Sequence, residues 1–245
     1  MLRRAPSLTD QVKTHVKDMI VNGEFPGGRI PPETELAEAL GVSRTTVRDA
    51  LSRLEMEGTI SRKQGAGTFV NSPVLQIRSR LEEIWSYEAM LEAHGLTPAT
   101  RVIDAVTLPA AALPHDDAAA DLGISPADDV LHVRKLFLEN DAPVILAANV
   151  LPQPESLDAY APDDLARPIY DFLDAFARQR LAYYVTDIVP VVAQGETAVL
   201  LQIAPGTPLV SFDETGYNEA NEPIVKAYSY FRDDLLRLRL LRRRV

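Results

Sequence analysis

Apolar residues in the first sixty positions recur at helical spacing in three segments. Residues 9–23, 33–40 and 44–57 each carry their apolar side chains on one face, which predicts three amphipathic helices. Gly41 is expected to end the second helix in a left-handed conformation, and Ser43 to cap the first turn of the third. A turn of only a few residues therefore joins the second and third helices.

A short hairpin pattern follows the third helix. Residues 59–63 and 68–70 favour two strands, and the segment between them contains Gly65 and Gly67. Because glycine lacks a Cβ, the tip of this hairpin can approach another backbone closely. Two helices joined by a tight turn and followed by a glycine-tipped hairpin predict a winged helix-turn-helix, which is typical of DNA-binding domains.

The pattern in the rest of the chain is duplicated. The motif Leu-x-Ile-x-Pro at residues 122–126 returns at residues 201–205, and each copy lies between a helical stretch and two strands joined by a polar turn. This echo predicts two units of helix, strand, hairpin and strand. An antiparallel sheet of roughly six strands with flanking helices is therefore expected. The other predicted elements are helices at residues 81–94 and 168–179 and strands at 99–108 and 181–192.

Charge is divided unevenly along the chain. The protein of 245 residues has a net charge of −10, but residues 1–80 are net +3 and residues 81–245 are net −13. A basic N-terminal part (the head, residues 1–80) joined to an acidic remainder (the body, residues 81–245) favours nucleic-acid binding by the head alone. We therefore expect a DNA-binding domain at residues 1–72, a linker at residues 73–80 and a separate domain over the remainder.

Composition argues against several other classes of protein. The chain has no cysteine and only four scattered histidines, so we expect no disulfide, no metal site and no bound cofactor. It contains no apolar run long enough to span a membrane, and its first residues lack the apolar core of a signal peptide. A cytoplasmic protein without a membrane partner is expected.

The third predicted helix carries side chains that suit a DNA groove. Arg44 and Arg48 lie one turn apart on its polar face, and a guanidinium can bond both acceptors of a guanine. The N-terminal part of such a helix contacts the bases, while cations at the base of the hairpin can pair with phosphates. A merely solvated arginine face is the alternative, but caps, turn and glycine hairpin in this order favour DNA. The predicted DNA contacts are Ser43, Arg44, Thr45, Thr46, Arg48, Arg62, Lys63, Gly65 and Gly67.

Four short motifs in this region carry a family resemblance. They are PxxxLA at residues 32–37, GVSRxTVRxAL at 41–51, LExEG at 54–58 and GxGTFV at 65–70. Together they resemble the GntR family of bacterial transcription regulators. The resemblance implies a dimeric repressor or activator whose C-terminal domain senses a metabolite.

The body resembles the effector domain, called UTRA, of HutC-type GntR regulators, which shares its fold with chorismate lyase. Its markers are looser and lie at residues 143–152, 168–173 and 223–234. The resemblance implies an effector-binding and dimerisation domain over residues 81–245, with a pocket between the two halves of the sheet. The expected fold class is α+β, with an N-terminal winged helix-turn-helix and a C-terminal antiparallel-sheet domain of chorismate-lyase-like fold.

The same resemblance implies how the pocket is lined. Arg134 matches a strand position where sugar-phosphate-sensing members keep an arginine for the phosphate, and Leu136 stands where they place a second one. Ala147 and Val225 stand where they often place glutamate. A less polar pocket is therefore expected, with one anionic group of the ligand on Arg134 and an apolar ligand body. The predicted effector contacts are Arg134, Thr100, Leu136, Ala147, Val225 and Phe231.

Some of these residues have an alternative role. Asp213 occupies the place that matches Arg134 in the second copy, so the two could simply form an ion pair. Phe231 could instead belong to the core, which is the more common role for such a residue. Lys226 is expected to lie on the opposite face from Val225, in contact with solvent.

The function that these patterns predict is metabolite-responsive regulation of transcription. We expect a homodimeric repressor on a palindromic site in double-stranded DNA, released or modulated by a small anionic ligand. An enzyme of chorismate-lyase-like type acting on a small anionic substrate is the alternative, although no acid–base or nucleophile arrangement supports it. A non-specific nucleoid protein is disfavoured by the strongly acidic chain.

Overall fold

The computed structural model describes residues 7–77, 81–115 and 117–242. Residues 78–80 of the predicted linker and residues 243–245 lie outside the described residues. The chain divides into two compact units, the second of which spans Leu81–Leu238, and each unit is described by itself. Within the described ranges, no helix is long and apolar enough to cross a membrane.

The N-terminal unit has three helices and a small antiparallel sheet, as predicted. In this sheet the third strand lies between the other two, and the first strand was not expected from the sequence. The elements are α1 (Leu8–Val21), β1 (Arg29–Ile30), α2 (Glu33–Leu40), α3 (Arg44–Met56), β2 (Ile60–Lys63) and β3 (Gly67–Val70).

Local capping explains where these helices begin and end. The Ser43 hydroxyl accepts a hydrogen bond from the Thr46 N–H at 3.1 Å, which caps α3 as predicted. Gly41 ends α2 with a φ of 65°, a conformation that favours glycine. The first helix begins at Leu8 because Ser7 caps it by accepting from the Asp10 N–H.

The core of this unit is the apolar stripe of α3 packed against α1. Val47, Ala50 and Leu54 are fully buried, and Val16 of α1 is buried beside them. These are the positions that helical spacing placed on one face. Because this stripe faces inward, the polar face of α3 is left toward solvent.

The second unit is built on a six-stranded antiparallel sheet with the order β4-β5-β6-β9-β8-β7. This confirms the predicted α+β class and the duplication. Two copies of strand, helix, strand and strand meet where β6 pairs with β9, with Ile145 opposite Phe231. The strands are β4 (Pro98–Pro109), β5 (Asp129–Glu139), β6 (Ala142–Pro152), β7 (Tyr183–Val192), β8 (Pro208–Tyr217) and β9 (Pro223–Phe231), and the helices are α4 (Tyr87–Ala93), α5 (Ala118–Asp121), α6 (Ile169–Phe172) and α7 (Gly195–Leu200).

Each face of this sheet is covered by its own pair of helices. On one face, Leu91 of α4 packs with Ala147 and Phe231, and Phe172 of α6 packs with Val225. We call this side the α4 face. On the other side, which we call the α5 face, helices α5 and α7 pack against their own clusters. Adjacent residues of one strand point to opposite faces, so this division decides which side chains can meet.

Two predicted helices are shorter than expected. Helix α4 begins only at Tyr87, because Ser86 is extended and its hydroxyl accepts from the Ala89 N–H at 3.0 Å. The apolar residues Leu81 and Trp85 instead pack on the core as an irregular segment. Helix α6 ends at Phe172 and continues as a π-helical turn over Leu173–Ala177.

Candidate nucleic-acid interface and ligand cavity

The polar face of α3 presents two arginines to solvent. The side chains of Arg44 and Arg48 are 61% and 50% exposed. Each Nε lies near the same Glu33 oxygen, at 3.3 Å and 3.2 Å. Although burial raises the pKa of Glu33, hydrogen bonds from Arg48 and Arg44 outweigh it and hold this pKa below its usual value. The carboxylate of α2 therefore aligns both guanidinium groups.

These ion pairs leave the arginines available to a partner. Exposed salt bridges contribute only up to about 1 kcal/mol, so a DNA phosphate or base can displace Glu33. Within the described residues, the Glu33 contacts use only the Nε of Arg44 and Arg48. The two terminal nitrogens of each guanidinium group are therefore available to donate to the two acceptors of a guanine.

The predicted contacts at the start of α3 have different surroundings. Ser43 and Thr46 are occupied by the cap, and their hydroxyl oxygens lie 2.8 Å apart. Thr45, between them, is exposed. Among these three residues, Thr45 is thus best placed for a base or phosphate, while Ser43 and Thr46 set where the helix begins.

The hairpin touches the helix through Arg62. Its Nη2 donates to the backbone oxygen of Arg48 at 3.2 Å, and its Nε lies 3.6 Å from Glu55. The Lys63 ammonium lies 5.3 Å from the centre of the Phe69 ring. The base of the wing therefore adds cationic groups beside the polar face of α3.

The tip of the wing requires its glycines. Gly65 and Gly67 have φ angles of 75° and 114°, which residues with a Cβ rarely adopt. A Cβ on Gly67 would lie 3.5 Å from the Nε of Arg29. Arg29, on the unexpected strand β1, is a cation of the wing that the sequence analysis missed. In the sequence, the only feature that could have marked Arg29 was its position directly after a pair of glycines.

The second unit contains a cavity of about 610 Å³ on the α4 face of the sheet. The irregular segment before α4, helix α4, the start of α6 and strands β5 to β9 line it. Its wall is rich in aromatic side chains and holds several ionisable groups. The lining residues include Trp85, Tyr87, Glu88, Lys135, Phe137, Ala147, Asn149, Tyr170, Tyr184, Phe212, Glu214 and Ala227.

One buried cation belongs to this wall. Lys135 is 2% exposed, and its Nζ donates to the backbone oxygen of Arg167 at 2.5 Å. Burial lowers the pKa of Lys135 to about 8, and the nearby Glu88 charge offsets part of that effect. This amine therefore already has a protein acceptor, and it is only weakly held in the charged form.

Two carboxyl groups of the cavity wall have no cation as hydrogen-bond donor among the described residues. Glu214 accepts from the Thr186 hydroxyl at 2.7 Å, and burial raises the pKa of Glu214. Glu88 accepts from the Thr100 hydroxyl at 2.8 Å. Its other oxygen, like the Trp85 indole nitrogen, is buried without a hydrogen-bond partner among the described residues. Such groups can serve a ligand.

Tyrosines complete the polar part of the cavity. The Tyr87 hydroxyl donates to the Ser229 Oγ at 2.6 Å. Burial raises the pKa of Tyr87 and of Tyr184, and the Glu214 charge adds to both shifts. Both phenols are therefore neutral donors next to a carboxyl group.

The expected role of Arg134 in the pocket is wrong. Arg134 neighbours Lys135 on β5, so it points to the α5 face, away from the cavity. There its Nε donates to Asp104 at 2.9 Å and its Nη1 donates to Glu196 at 2.6 Å, and these contacts raise its pKa. Leu136 is wrong as well, because it is buried in the core cluster beneath α7.

The alternative partner predicted for Arg134 is also wrong. Asp213 pairs with Lys226, which pairs with Asp121 too. Lys226 is 3% exposed rather than solvated. Oxygens of Asp117, Asp121 and Asp213 lie within 4.8 Å of one another, but the Lys226 ammonium already supplies positive charge there.

The remaining predicted effector residues lie on the α4 face, and they differ in their access to the cavity. Ala147 lines the cavity. Thr100 is not among the residues that line the cavity, but its hydroxyl donates to Glu88, which does line it. Val225 and Phe231 are buried in the flanking clusters, because the helices cover both ends of this face. The sequence analysis missed Lys135, Glu88 and Glu214. Each is an ionisable residue within an otherwise apolar strand or helix, and this feature could have marked it as a candidate.

Comparison with known proteins identifies both parts of the chain. The model for bacterial regulatory proteins of the gntR family matches residues 8–70, and the model for the UTRA domain matches residues 93–237. These two matches include most of the described elements of both units.

Relatives align along most of the chain. The HTH-type transcriptional repressor NagR of Bacillus subtilis (strain 168) is 29% identical over 225 residues, which are 91% of this chain and 90% of NagR. The HTH-type transcriptional regulator Rv0792c of Mycobacterium tuberculosis is 30% identical over 220 residues, 87% of this chain and 78% of that protein. The mannosyl-D-glycerate transport/metabolism system repressor MngR of Escherichia coli (strain K12) is 26% identical over 212 residues, 84% of each protein.

Solved structures share the fold. The possible transcriptional regulator YydK from Bacillus subtilis matches with a TM-score of 0.75 at 15% identity, over 97% of this chain and 100% of that chain. PhnF from Mycobacterium smegmatis matches with a TM-score of 0.55 at 24% identity, over 95% and 99% of the two chains.

Proposed function

The chain belongs to the GntR family of bacterial regulatory proteins and carries a UTRA domain, and from this premise we propose that it is a repressor that binds a palindromic operator as a homodimer. It is a DNA-binding transcription regulator that responds to a small molecule, and not an enzyme of the lyase type considered above. The names of NagR and MngR, both repressors, support the direction of regulation.

The observation that carries the proposal is the exposure of Arg44 and Arg48 on the N-terminal half of a capped helix. This half of the helix enters the major groove in helix-turn-helix proteins. Arg62, Lys63 and the glycine tip then lie where a phosphate backbone passes. Because chromosomal DNA is its target, we place the protein in the cytoplasm.

An uncovered edge strand supports the dimer. Strand β7 is the last strand of the sheet, and Val185, Ile188, Val189 and Val192 are 38–56% exposed on it. An apolar edge strand is a surface that proteins normally cover. A second copy that covers β7 would form a two-fold contact. Two heads held about one duplex turn apart would then engage a palindromic site.

The cavity on the α4 face is the proposed effector site. A ligand changes DNA binding only if it binds the DNA-competent and DNA-incompetent arrangements with different affinity. Coupling of about 1–3 kcal/mol would change operator affinity about 5–150-fold. The irregular segment before α4 forms part of the cavity wall and lies next to the linker in sequence, so it is the proposed route of coupling.

The test measures binding of the full chain to the DNA upstream of its own coding region and to random duplex at physiological salt. We expect preference for the upstream DNA by at least about 10³-fold and a dimer in sedimentation. Equal affinity for both duplexes would refute a specific regulator, and a monomer on a single half-site would refute the dimer.

A further inference from the structure

Acidic groups outnumber cations in the inner part of the cavity wall. Among the described residues there, Glu88 and Glu214 contribute carboxyl groups and Lys135 contributes a cation. Building on the proposed effector role of this cavity, we infer that its ligand carries a positively charged, ammonium-type nitrogen rather than the anionic group expected from the sequence.

Lys135 is poorly placed to hold an anion. Its Nζ is bound to the Arg167 carbonyl, and its side chain is almost completely buried. The Glu88 charge is close enough to act on it, so an incoming anion would be repelled by Glu88 as it approached. The arginine that could have served, Arg134, is bound to Asp104 and Glu196 on the other face.

Glu88 and Glu214 both lack a cationic hydrogen-bond donor in the described part of the chain. Glu214 is held by the Thr186 hydroxyl, and one oxygen of Glu88 is buried with no hydrogen-bond partner there. A desolvated carboxylate that no cation hydrogen-bonds is unfavourable. An ammonium brings up to three donors and adds a positive charge to that of Lys135, which acts on Glu88 through space only.

The wall around these groups suits a cation with an apolar body. Tyr87 and Tyr184 both lie close enough to Glu214 to feel its charge, and Trp85 and Phe212 also line the cavity. Aromatic faces attract ammonium groups by cation–π interaction. The volume of about 610 Å³ is within the usual range for small-molecule sites.

The protein offers a built-in reporter for the test. Trp85 is its single tryptophan and lines the cavity, so indole fluorescence of the full chain reports binding there. The probes are choline with its neutral carbon analogue 3,3-dimethylbutan-1-ol, benzylamine with benzyl alcohol, and inorganic phosphate and benzoate as anions. We expect at least one ammonium probe to bind at least about tenfold tighter than its neutral analogue, and tighter than both anions.

Variants of the lining residues show whether the positive charge of the probe is recognised in the cavity. Glu214→Gln and Glu88→Gln preserve shape and should each weaken the ammonium probe about tenfold, while Lys135→Met should tighten it. Glu155→Gln changes an exposed carboxylate outside the cavity lining and should change nothing. The inference is overturned if neither ammonium probe exceeds its neutral analogue, or if an anion binds in a Lys135-dependent way.

This outcome is separable from that of the proposed function. If the chain binds its upstream DNA and an anionic probe releases it, the ligand class inferred here is wrong while the regulator stands. If an ammonium probe binds through Glu214 but the chain shows no preference among duplexes, the cavity is as inferred and the regulator proposal fails.

Discussion

Replacing Arg48 by lysine separates a base contact from a phosphate contact. Lysine keeps the charge, so affinity for random duplex and the slope of affinity against salt should stay the same. It loses the planar fork that bonds both acceptors of a guanine. Such a contact is worth about 1–3 kcal/mol, so affinity for the operator should fall about 5–150-fold.

The substitution should have little effect on the stability of the fold. The Arg48 side chain is half exposed, and its Nε pairs with Glu33 at 3.2 Å. A surface pair of this kind contributes at most about 1 kcal/mol, and a lysine can retain part of it. We therefore expect the free energy of unfolding to change by less than about 0.5 kcal/mol, which leaves the loss of the fork as the dominant effect.

The assay is fluorescence anisotropy with the upstream duplex and a scrambled duplex at one salt concentration. Arg53→Lys is the matched control, because Arg53 lies on the same helix, is 45% exposed and pairs with Asp10 instead. A base contact by Arg48 is ruled out if Arg48→Lys weakens binding to both duplexes equally, or if Arg53→Lys lowers operator affinity as much.

Three further predictions concern stability. Ser43→Ala removes the cap of α3 and should lower the free energy of unfolding by about 1 kcal/mol, while Thr45→Ala should change it little; urea titrations of the two variants would contradict this if they coincide. Lys226→Ala leaves Asp213 without its ammonium partner and should lower the free energy of unfolding by about 3 kcal/mol. The control Arg178→Ala, at an exposed position, should lower it by less than about 0.5 kcal/mol. Equal urea midpoints for the two variants would argue against a structural role for the buried pair. Burial raises the pKa of Glu214, so the folded state binds the extra proton above pH 4.5 and stability falls as pH rises through that window. Glu214→Gln should therefore gain stability relative to wild type as pH rises above 4.5, and a difference that does not change with pH there would disprove the shift.

Local chemistry made much of the fold predictable. Gly41 and Ser43 determine a helix end and a helix start through their own backbone and hydroxyl, and the structure has both where the sequence placed them. The turn between β5 and β6 has positive φ at Asn140 and Asp141, residues that tolerate this conformation. The duplicated motif likewise predicted the two halves of the sheet, because each copy carries its own turn residues.

The candidate sites were predictable only where a residue's role depends on its own element. Arg44 and Arg48 follow from the helical period of α3, whose apolar stripe faces the core. Arg134 does not follow in this way, because neighbouring strand residues point to opposite faces and an error of one position exchanges Arg134 for Lys135.

The sequence by itself therefore determined the helix caps, the turns, the repeated units and the exposed face of α3, since these depend on residues close in the chain. Only the tertiary structure decided which side of the sheet encloses a cavity and which charges face it. It paired Lys226 with Asp121 and Asp213, and it left Glu88 and Glu214 beside an aromatic wall. Such contacts join residues far apart in the chain, and they form only when helices cover a particular face of the sheet.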